Sequence, residues 1–155
     1  SGYLVSDYKP AYMRFKFWIW ASVVTQLLTA AFHSLSFFVK PTPQNDTEKQ
    51  LFDLVDNYKP DAGMGFHPSF SELFTGLSIS FTLICLFGGL LNWFLAKRNP
   101  GAEIWKGMLL IETIIFGALF LAMLFFTFFP PILCTGLIFV FLLGGRLSLS
   151  WQNKQ

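Results

Sequence analysis

The sequence contains few charged residues for its length. Asp, Glu, Lys and Arg make up 13% of the 155 residues, and hydrophobic residues make up 54%, whereas a typical soluble domain has about 25% charged residues. The formal net charge of +2 is too small to indicate a nucleic-acid partner. This composition excludes an ordinary soluble protein and leaves too little polar sequence for a separate soluble domain.

Cysteine and catalytic motifs are also scarce. Cys85 and Cys134 are the only cysteines. They fall at different depths in the membrane spans predicted below, so we expect no disulfide between them. The sequence has no Cys-x-x-Cys redox pair, and no motif identifies a cofactor. An internal repeat of the kind found in transporters is missing too. We therefore lean towards a protein that is not an enzyme.

Long apolar runs dominate what is present. Each has about 19 residues or more, which at about 1.5 Å per helical residue is enough to cross a hydrocarbon core of about 30 Å. Backbone groups inside a bilayer must pair within the protein, so these runs must be helices. We predict an all-α, up-down-up-down four-helix membrane bundle that forms one transmembrane domain over residues 1–155. Its spans are residues 15–38, 70–95, 104–129 and 131–149.

A polar loop over residues 40–69 separates the first two spans. Asp46 or Thr47 is expected to cap a short helix there, because Thr47-x-x-Gln50 matches a capping box. One face of this helix is apolar and the other is acidic, which disfavours binding to anionic lipid. We expect the helix to cap the bundle or to form a docking surface, with a plain solvated helix as the alternative. The apolar positions are Leu51, Leu54, Val55 and Tyr58, and the acidic ones are Asp53 and Asp56.

The other connections are short, and small residues recur within the spans. Pro130-Pro131 and Asn99-Pro100-Gly101 favour tight turns, which make neighbouring spans antiparallel. Pairs of small residues predict close helix approach, and tryptophan near the span ends predicts an interfacial belt. The small pairs are Gly76–Ser80, Gly88–Gly89, Ala118–Ala122 and Gly144–Gly145. The tryptophans are Trp18, Trp20, Trp93, Trp105 and Trp151.

The first span carries a stripe of polar residues. Their spacings of four, three, four and three positions place them on one helix face. Exposing that face to lipid is costly, so it is expected to point into the bundle, where it either bonds to other helices or lines a ligand site. The stripe consists of Ser22, Gln26, Thr29, His33 and Ser36.

Two histidines and a carboxylate fall near the loop side of the bundle. His33 lies near the end of the first span, His67 lies in the loop and Glu72 opens the second span. Such a set is able to bind a divalent metal or to relay protons. The alternative is structural, because Ser69-x-x-Glu72 matches a capping box in which Glu72 bonds to the backbone at the helix start.

Glu112 lies about 12 Å along the third span, inside the apolar region. A carboxylate at this depth is a functional candidate by default. A neutral Glu112 that bonds across the bundle is the structural alternative. By depth, its expected neighbours are Asn92 and Gly88–Gly89 on the second span and Gln26 or Ser22 on the first.

Residues 69–93 resemble an uncharacterised family of small bacterial four-helix membrane proteins. In that family the first helix ends near a histidine, as at Phe32-His33, and the second opens with aromatic and acidic residues before a glycine. The matching residues of the second span are Phe70, Glu72, Phe74 and Gly76. The architecture is more distantly similar to the DoxX-like proteins, some of which are linked to quinone or thiol redox chemistry. The resemblance covers the first two spans and implies a four-helix protein of a bacterial inner membrane.

Three functions remain open. We expect a non-enzymatic small membrane subunit that associates with partner proteins or with further copies of itself. Alternatively, the protein binds or carries a small hydrophobic molecule such as a quinone or lipid. A membrane enzyme with a site at His33, His67 and Glu72 is the third possibility. The residues assigned to a ligand site are Gln26, Thr29, His33, Glu72 and Glu112.

Lysine and arginine are distributed unevenly between the two ends of the spans. Eight of the eleven flank the termini and the link between the second and third spans. Because cytoplasmic segments are enriched in these residues, both termini are predicted to be cytoplasmic, and the long first span is expected to be retained rather than removed as a signal. The eight are Lys9, Arg14, Lys16, Lys97, Arg98, Lys106, Arg146 and Lys154, and the other three are Lys40, Lys49 and Lys59.

Cysteines introduced at positions 3 and 153 test this orientation. In intact cells both positions are expected to resist an impermeant thiol reagent, because the membrane shields the cytoplasm. A Gln50→Cys variant in the loop is the positive control and is expected to react. Labelling of positions 3 and 153 from outside would show that the orientation is reversed.

Overall fold

The structure is a computed structural model that describes residues 8–39 and 41–152, with side chains over residues 13–39 and 41–149. The described residues are mainly helical and contain no strand, which confirms the predicted all-α four-helix membrane bundle. Its helices are α1 (Tyr8–Leu35), α2 (Asp46–Asn57), α3 (Phe70–Arg98), α4 (Ala102–Phe126) and α5 (Phe129–Gln152), with a 3-10 turn at Ser36–Phe38. Lys40, Lys154, positions 3 and 153, and the side chains of Lys9 and Trp151 lie outside the described residues.

Four helical segments are long and apolar enough to cross a membrane. They are Met13–Phe38, Phe70–Arg98, Ala102–Phe126 and Phe129–Leu149, with mean hydropathies of 1.3, 1.9, 2.5 and 2.0. Many of their large apolar side chains point outwards; Phe87 is 68% exposed and Phe125 is 75% exposed. In a bilayer such side chains face lipid instead of water. The chain is therefore a multi-pass membrane protein.

The chain forms two compact units. Unit one contains the chain up to Thr29 and from Cys85 onwards, and unit two is Ala30–Ile84. Helices α1 and α3 contribute residues to both. In unit one, α4 and α5 pack along each other, and the largest fully buried apolar side chains are Ile19, Leu109, Ile138 and Leu142. The expectation of one transmembrane domain over residues 1–155 stays a prediction.

The turn between α4 and α5 is tight, as predicted, but its boundaries differ from the predicted spans. Helix α4 ends three residues early, because Thr127 is extended (φ −132°, ψ −164°) and its hydroxyl donates to the Met123 carbonyl at 2.7 Å. Helix α5 begins at Phe129, so that Pro130-Pro131 lies inside its first turn. Proline fits there because the N–H groups of a first turn have no intrahelical acceptor.

The N-cap of α2 is Asn45 rather than Asp46 or Thr47. Its side chain accepts a hydrogen bond from the Glu48 N–H at 2.9 Å, and Glu48 Oε2 accepts one from the Gln44 N–H at 2.6 Å. Asn caps a helix as well as Ser or Thr does, and Glu at the third helical position reaches back to the N–H of the residue before the cap, one position beyond the usual capping box. The predicted helix is confirmed, but its capping pair lies two residues earlier in the chain.

Glycine pairs allow the closest helix approaches in unit one. A Cβ atom at Gly88 would lie 2.6 Å from Gln26 Nε2, and one at Gly144 would lie 2.6 Å from the Trp18 ring. Their neighbours Gly89 and Gly145 are also in close contact with α1 side chains. The predictions for these two pairs are confirmed.

Other predictions on small and aromatic residues were wrong. A Cβ at Gly76 would meet nothing within 4 Å, and Ser80, like the pair Ala118–Ala122, is exposed. Spacing of small residues does not by itself determine which helix face is buried. Trp105 is only 3% exposed and packs edge-on against Phe15, with ring centroids 5.4 Å apart. Trp105 therefore belongs to the core of unit one and not to an interfacial belt.

A Gly144→Ala variant tests the packing of α5 against α1. The added methyl group would lie 2.6–2.9 Å from three atoms of the rigid Trp18 ring, so we expect a loss of about 1–3 kcal/mol in stability from overpacking. Thermal unfolding in detergent measures this. Gly76→Ala is the control and is expected to cause no loss, because its position is open. Equal stability of both variants would contradict the close approach.

Candidate functional site

A buried polar cluster joins three of the four spans. It consists of Gln26 on α1, Asn92 on α3 and Glu112 on α4, and we call these three residues the polar cluster. The Asn92 amide nitrogen Nδ2 donates hydrogen bonds to Gln26 Oε1 at 3.2 Å and to Glu112 Oε2 at 2.6 Å. Gln26 and Asn92 are fully buried, and Glu112 is 6% exposed. The predicted depth match between these residues is therefore confirmed.

Local sequence explains how the polar cluster forms. Ser22, Gln26 and Thr29 share one face of α1, and all three are buried. Gly88 and Gly89 lie one helical turn before Asn92 on α3, and because they have no side chains, Gln26 is able to lie against the α3 backbone. The first half of the predicted polar stripe thus faces protein.

Four buried polar atoms in and beside the cluster have no hydrogen-bond partner within the described part of the chain. Two belong to the cluster itself, namely Gln26 Nε2 and Asn92 Oδ1. The others are Ser22 Oγ, one turn from Gln26, and Thr113 Oγ1, next to Glu112. A buried polar atom without a partner costs about 1–3 kcal/mol. The cluster therefore has hydrogen-bonding capacity that helix packing does not use.

The second half of the stripe lies in unit two and has different surroundings. His33 is half-buried, with its ring edge-on to Phe37 at 5.9 Å and to Phe81 at 4.8 Å between centroids. Ser36 is exposed, and its hydroxyl donates to the His33 carbonyl at 2.6 Å. Aromatic edges rather than polar groups surround the His33 ring.

The residues predicted for a metal site are not gathered around a common point. In the described part of the chain, no group of three or more His, Cys, Asp and Glu side chains is arranged to hold a metal ion. Glu72 is exposed and closes a capping box: its Oε2 accepts from the Ser69 N–H at 2.7 Å, and the Glu72 N–H donates to Ser69 Oγ at 3.2 Å. The structural explanation for Glu72 is confirmed. His67 lies in the non-helical segment before Ser69.

Unit two also contains a groove of about 1030 Å³, lined by α2, the segment before it and the start of α3. Helix α2 supplies six polar or charged side chains and three apolar ones, and α3 supplies three hydroxyl groups and Phe74. The polar α2 residues are Asp46, Lys49, Gln50, Asp53, Asp56 and Asn57, the apolar ones are Leu51, Phe52 and Val55, and the hydroxyl row is Ser71, Thr75 and Ser78. Leu54 and Tyr58, which are 59% and 56% exposed, do not line the groove, although Leu51 and Val55 of the same apolar face do.

Sequence reasoning missed two features of the spans. Asn92 was expected only as a neighbour of Glu112, yet its amide makes both bonds of the polar cluster. A single carboxamide within a long apolar run is the signal that points to it. Thr135 on α5 is fully buried, and its hydroxyl donates to the Pro131 carbonyl at 2.7 Å.

Comparison with protein-family models, curated proteins and solved structures finds no match to this chain. The resemblance of residues 69–93 to a four-helix family therefore stays a prediction. Cys85 and Cys134 are free thiols, as expected.

Replacing Gln26 with Leu tests whether the polar cluster holds the helices together. The variant loses the bond to Asn92, and interhelical hydrogen bonds in membranes are worth about 0.6–2 kcal/mol, so a loss of that size is expected in thermal unfolding. Gln50→Leu is the matched control, because Gln50 is exposed on α2. An unchanged unfolding temperature for Gln26→Leu would contradict a structural contribution from this bond.

Proposed function

We propose that this multi-pass membrane protein is a non-enzymatic small membrane subunit that docks a partner protein through unit two. The groove between α2 and α3 carries this proposal. It is a concave surface formed by an ordered, capped helix, the segment before that helix and the first turns of α3. A preformed surface reduces the entropy lost when a partner binds.

The charge of this region indicates the chemistry of the partner. Residues 41–69 contain five acidic residues and two lysines, a formal charge of −3 without the histidines. Asp46, Asp53 and Asp56 lie along the groove. Complementary charge guides encounter and selects partners. We therefore propose a basic segment of a membrane protein as the occupant.

A second copy of this chain fits the groove less well. Under the predicted topology, eight of the eleven lysine and arginine residues lie on the opposite side of the membrane from the loop. Another copy in the same membrane therefore offers few cations to the groove. An anionic lipid surface is disfavoured by the same acidic side chains.

The alternative of a carrier for a quinone or lipid receives less support. That function needs the stripe on α1 to be open to a ligand. Gln26 is fully buried and lies against Gly88, and Thr29 is 5% exposed. Helix packing thus occupies the surface that such a ligand needs.

A photo-crosslinking residue at Gln50, inside the groove, tests the proposal in intact cells. We expect a crosslink to one other membrane protein at this position, and none from the same residue at Leu54, which lies outside the groove. Asp53→Asn together with Asp56→Asn is expected to weaken the crosslink strongly, because it removes two charges while keeping side-chain shape.

Two results would contradict the proposal. One is a crosslinked product of twice the mass of the 17.6 kDa chain, which would identify a second copy as the occupant. The other is equal crosslinking from Gln50 and Leu54 that persists in the double Asn variant, which would indicate nonspecific contact.

A further inference from the structure

The unpaired atoms of the polar cluster follow a pattern. In the cluster, Asn92 Nδ2 donates to the oxygen atoms of Gln26 and Glu112. The two unpaired atoms are the opposite ends of the same two amides, Asn92 Oδ1 and Gln26 Nε2. The oxygen and nitrogen ends of an amide have nearly the same shape, so rotation of each amide by 180° exchanges them without changing the packing.

The two amide orientations suit two protonation states of Glu112. In the orientation described above, the Asn92 amide donates to Glu112, as an ionised carboxylate requires. After both amides rotate, Asn92 Oδ1 takes the place of Nδ2, where it is able to accept from a protonated Glu112 and from Gln26 Nε2. Each state leaves the same number of hydrogen bonds in the cluster. The hydroxyl groups of Ser22 and Thr113 lie beside it as further donors or acceptors.

We propose that the polar cluster is a reversible proton-binding site within the membrane, at which Glu112 gains or loses the proton and the amides of Asn92 and Gln26 rotate to match. Glu112 is the group that binds the proton, and the two amides are positioning residues.

The charge balance at Glu112 favours a proton over other partners. Asn92 is its hydrogen-bond partner, and no ion pair with Glu112 occurs among the described residues. An isolated carboxylate in hydrocarbon is costly, and a proton removes that cost. A metal cation is disfavoured, because in the described part of the chain Glu112 is not part of any group of three or more His, Cys, Asp and Glu side chains that could hold one.

Charged groups on the neighbouring helices have other contacts. Lys106 on α4 pairs with Glu103 at 2.6 Å, and Lys97 and Arg98 on α3 lie over aromatic rings. The groups that α1 and α3 present to the cluster, Gln26 and Asn92, do not titrate. The remaining charged or titratable groups of unit one in the described spans are Arg14, Lys16, Cys85, Cys134 and Arg146, of which Lys16 and Arg146 have interactions of their own.

Dicyclohexylcarbodiimide tests the proposal on the full chain in detergent or lipid vesicles. This apolar reagent adds to a protonated carboxylic acid and leaves a stable acylurea, which mass spectrometry locates. We expect modification of Glu112 at low pH that falls about tenfold for each pH unit above its midpoint, because that is the loss of protonated acid in a one-proton titration. The exposed, paired Glu103 is the internal control and is expected to stay unmodified.

Two variants separate proton binding from structure. Glu112→Gln keeps the shape of the side chain and one acceptor but cannot take up a proton, so the protein is expected to stay folded in gel filtration and to lose the modification. Asn92→Leu is expected to raise the midpoint by up to about one pH unit, because the variant loses a bond in both states and the bond to the ionised carboxylate is the stronger of the two. A purely structural Asn92 would change unfolding without moving the midpoint.

Three outcomes would overturn the proposal. Modification of Glu112 that stays constant over about pH 5 to pH 9, the range in which perturbed carboxyl groups titrate, would show an acid that is permanently neutral. No modification over the same range would show a Glu112 that stays ionised or is closed off from the surrounding lipid, and either state contradicts a reversible site. An Asn92→Leu variant that folds and has an unchanged midpoint would show that the amides take no part in proton binding at Glu112.

Discussion

The hydrogen bonds from one amide group, that of Asn92, organise the membrane core of this protein. In hydrocarbon, a polar side chain that points towards lipid has no partner, so Gln26, Asn92 and Glu112 are stable only when they meet. The Asn92 amide contacts Gln26 and Glu112 from the other two helices at 3.2 Å and 2.6 Å. That contact determines which face of α1, α3 and α4 turns inwards, and it couples the register of the three helices.

Backbone approach and aromatic packing follow from this arrangement. For Gln26 to reach Asn92, α1 must lie close to α3, and Gly88 with Gly89 makes this distance possible. Gly144 on α5 leaves room for the Trp18 ring of α1 in a similar way. Apolar packing between helices gains little in a membrane, because lipid is as apolar as the side chains, so close contact and hydrogen bonds carry the specificity.

Much of the fold follows from the sequence, because bilayer thickness and backbone pairing leave few options for long apolar runs. The sequence also predicts the burial of Gln26 and the depth of Glu112. Details that depend on competition between residues were less predictable. Asn45 competes with Thr47 for the cap of α2, and Pro130-Pro131 is compatible with a helix start on either side. Trp105 is buried against Phe15 because it lies on the face of α4 that points into unit one. The number and position of tryptophans in the sequence do not show which face that is.

The polar cluster and the groove of unit two point to two different properties of one small membrane protein. For the cluster we propose a buried group that exchanges a proton, and for the acidic groove a surface that binds a basic partner. In both places, side chains have polar groups that are not needed to hold the helices together. A proton site in the spans and a docking site in unit two are each testable without the other.

A double-mutant cycle between Asn92 and Glu112 tests the central claim most directly. Unfolding free energies are measured in detergent for the wild type, Asn92→Ala, Glu112→Ala and the double variant. The account predicts a coupling energy between about 0.6 and about 1.7 kcal/mol, which are the mean and the maximum measured for interhelical hydrogen bonds in one membrane protein. Additive effects within about 0.3–0.5 kcal/mol, as found for independent sites, would contradict the claim that this contact joins α3 to α4.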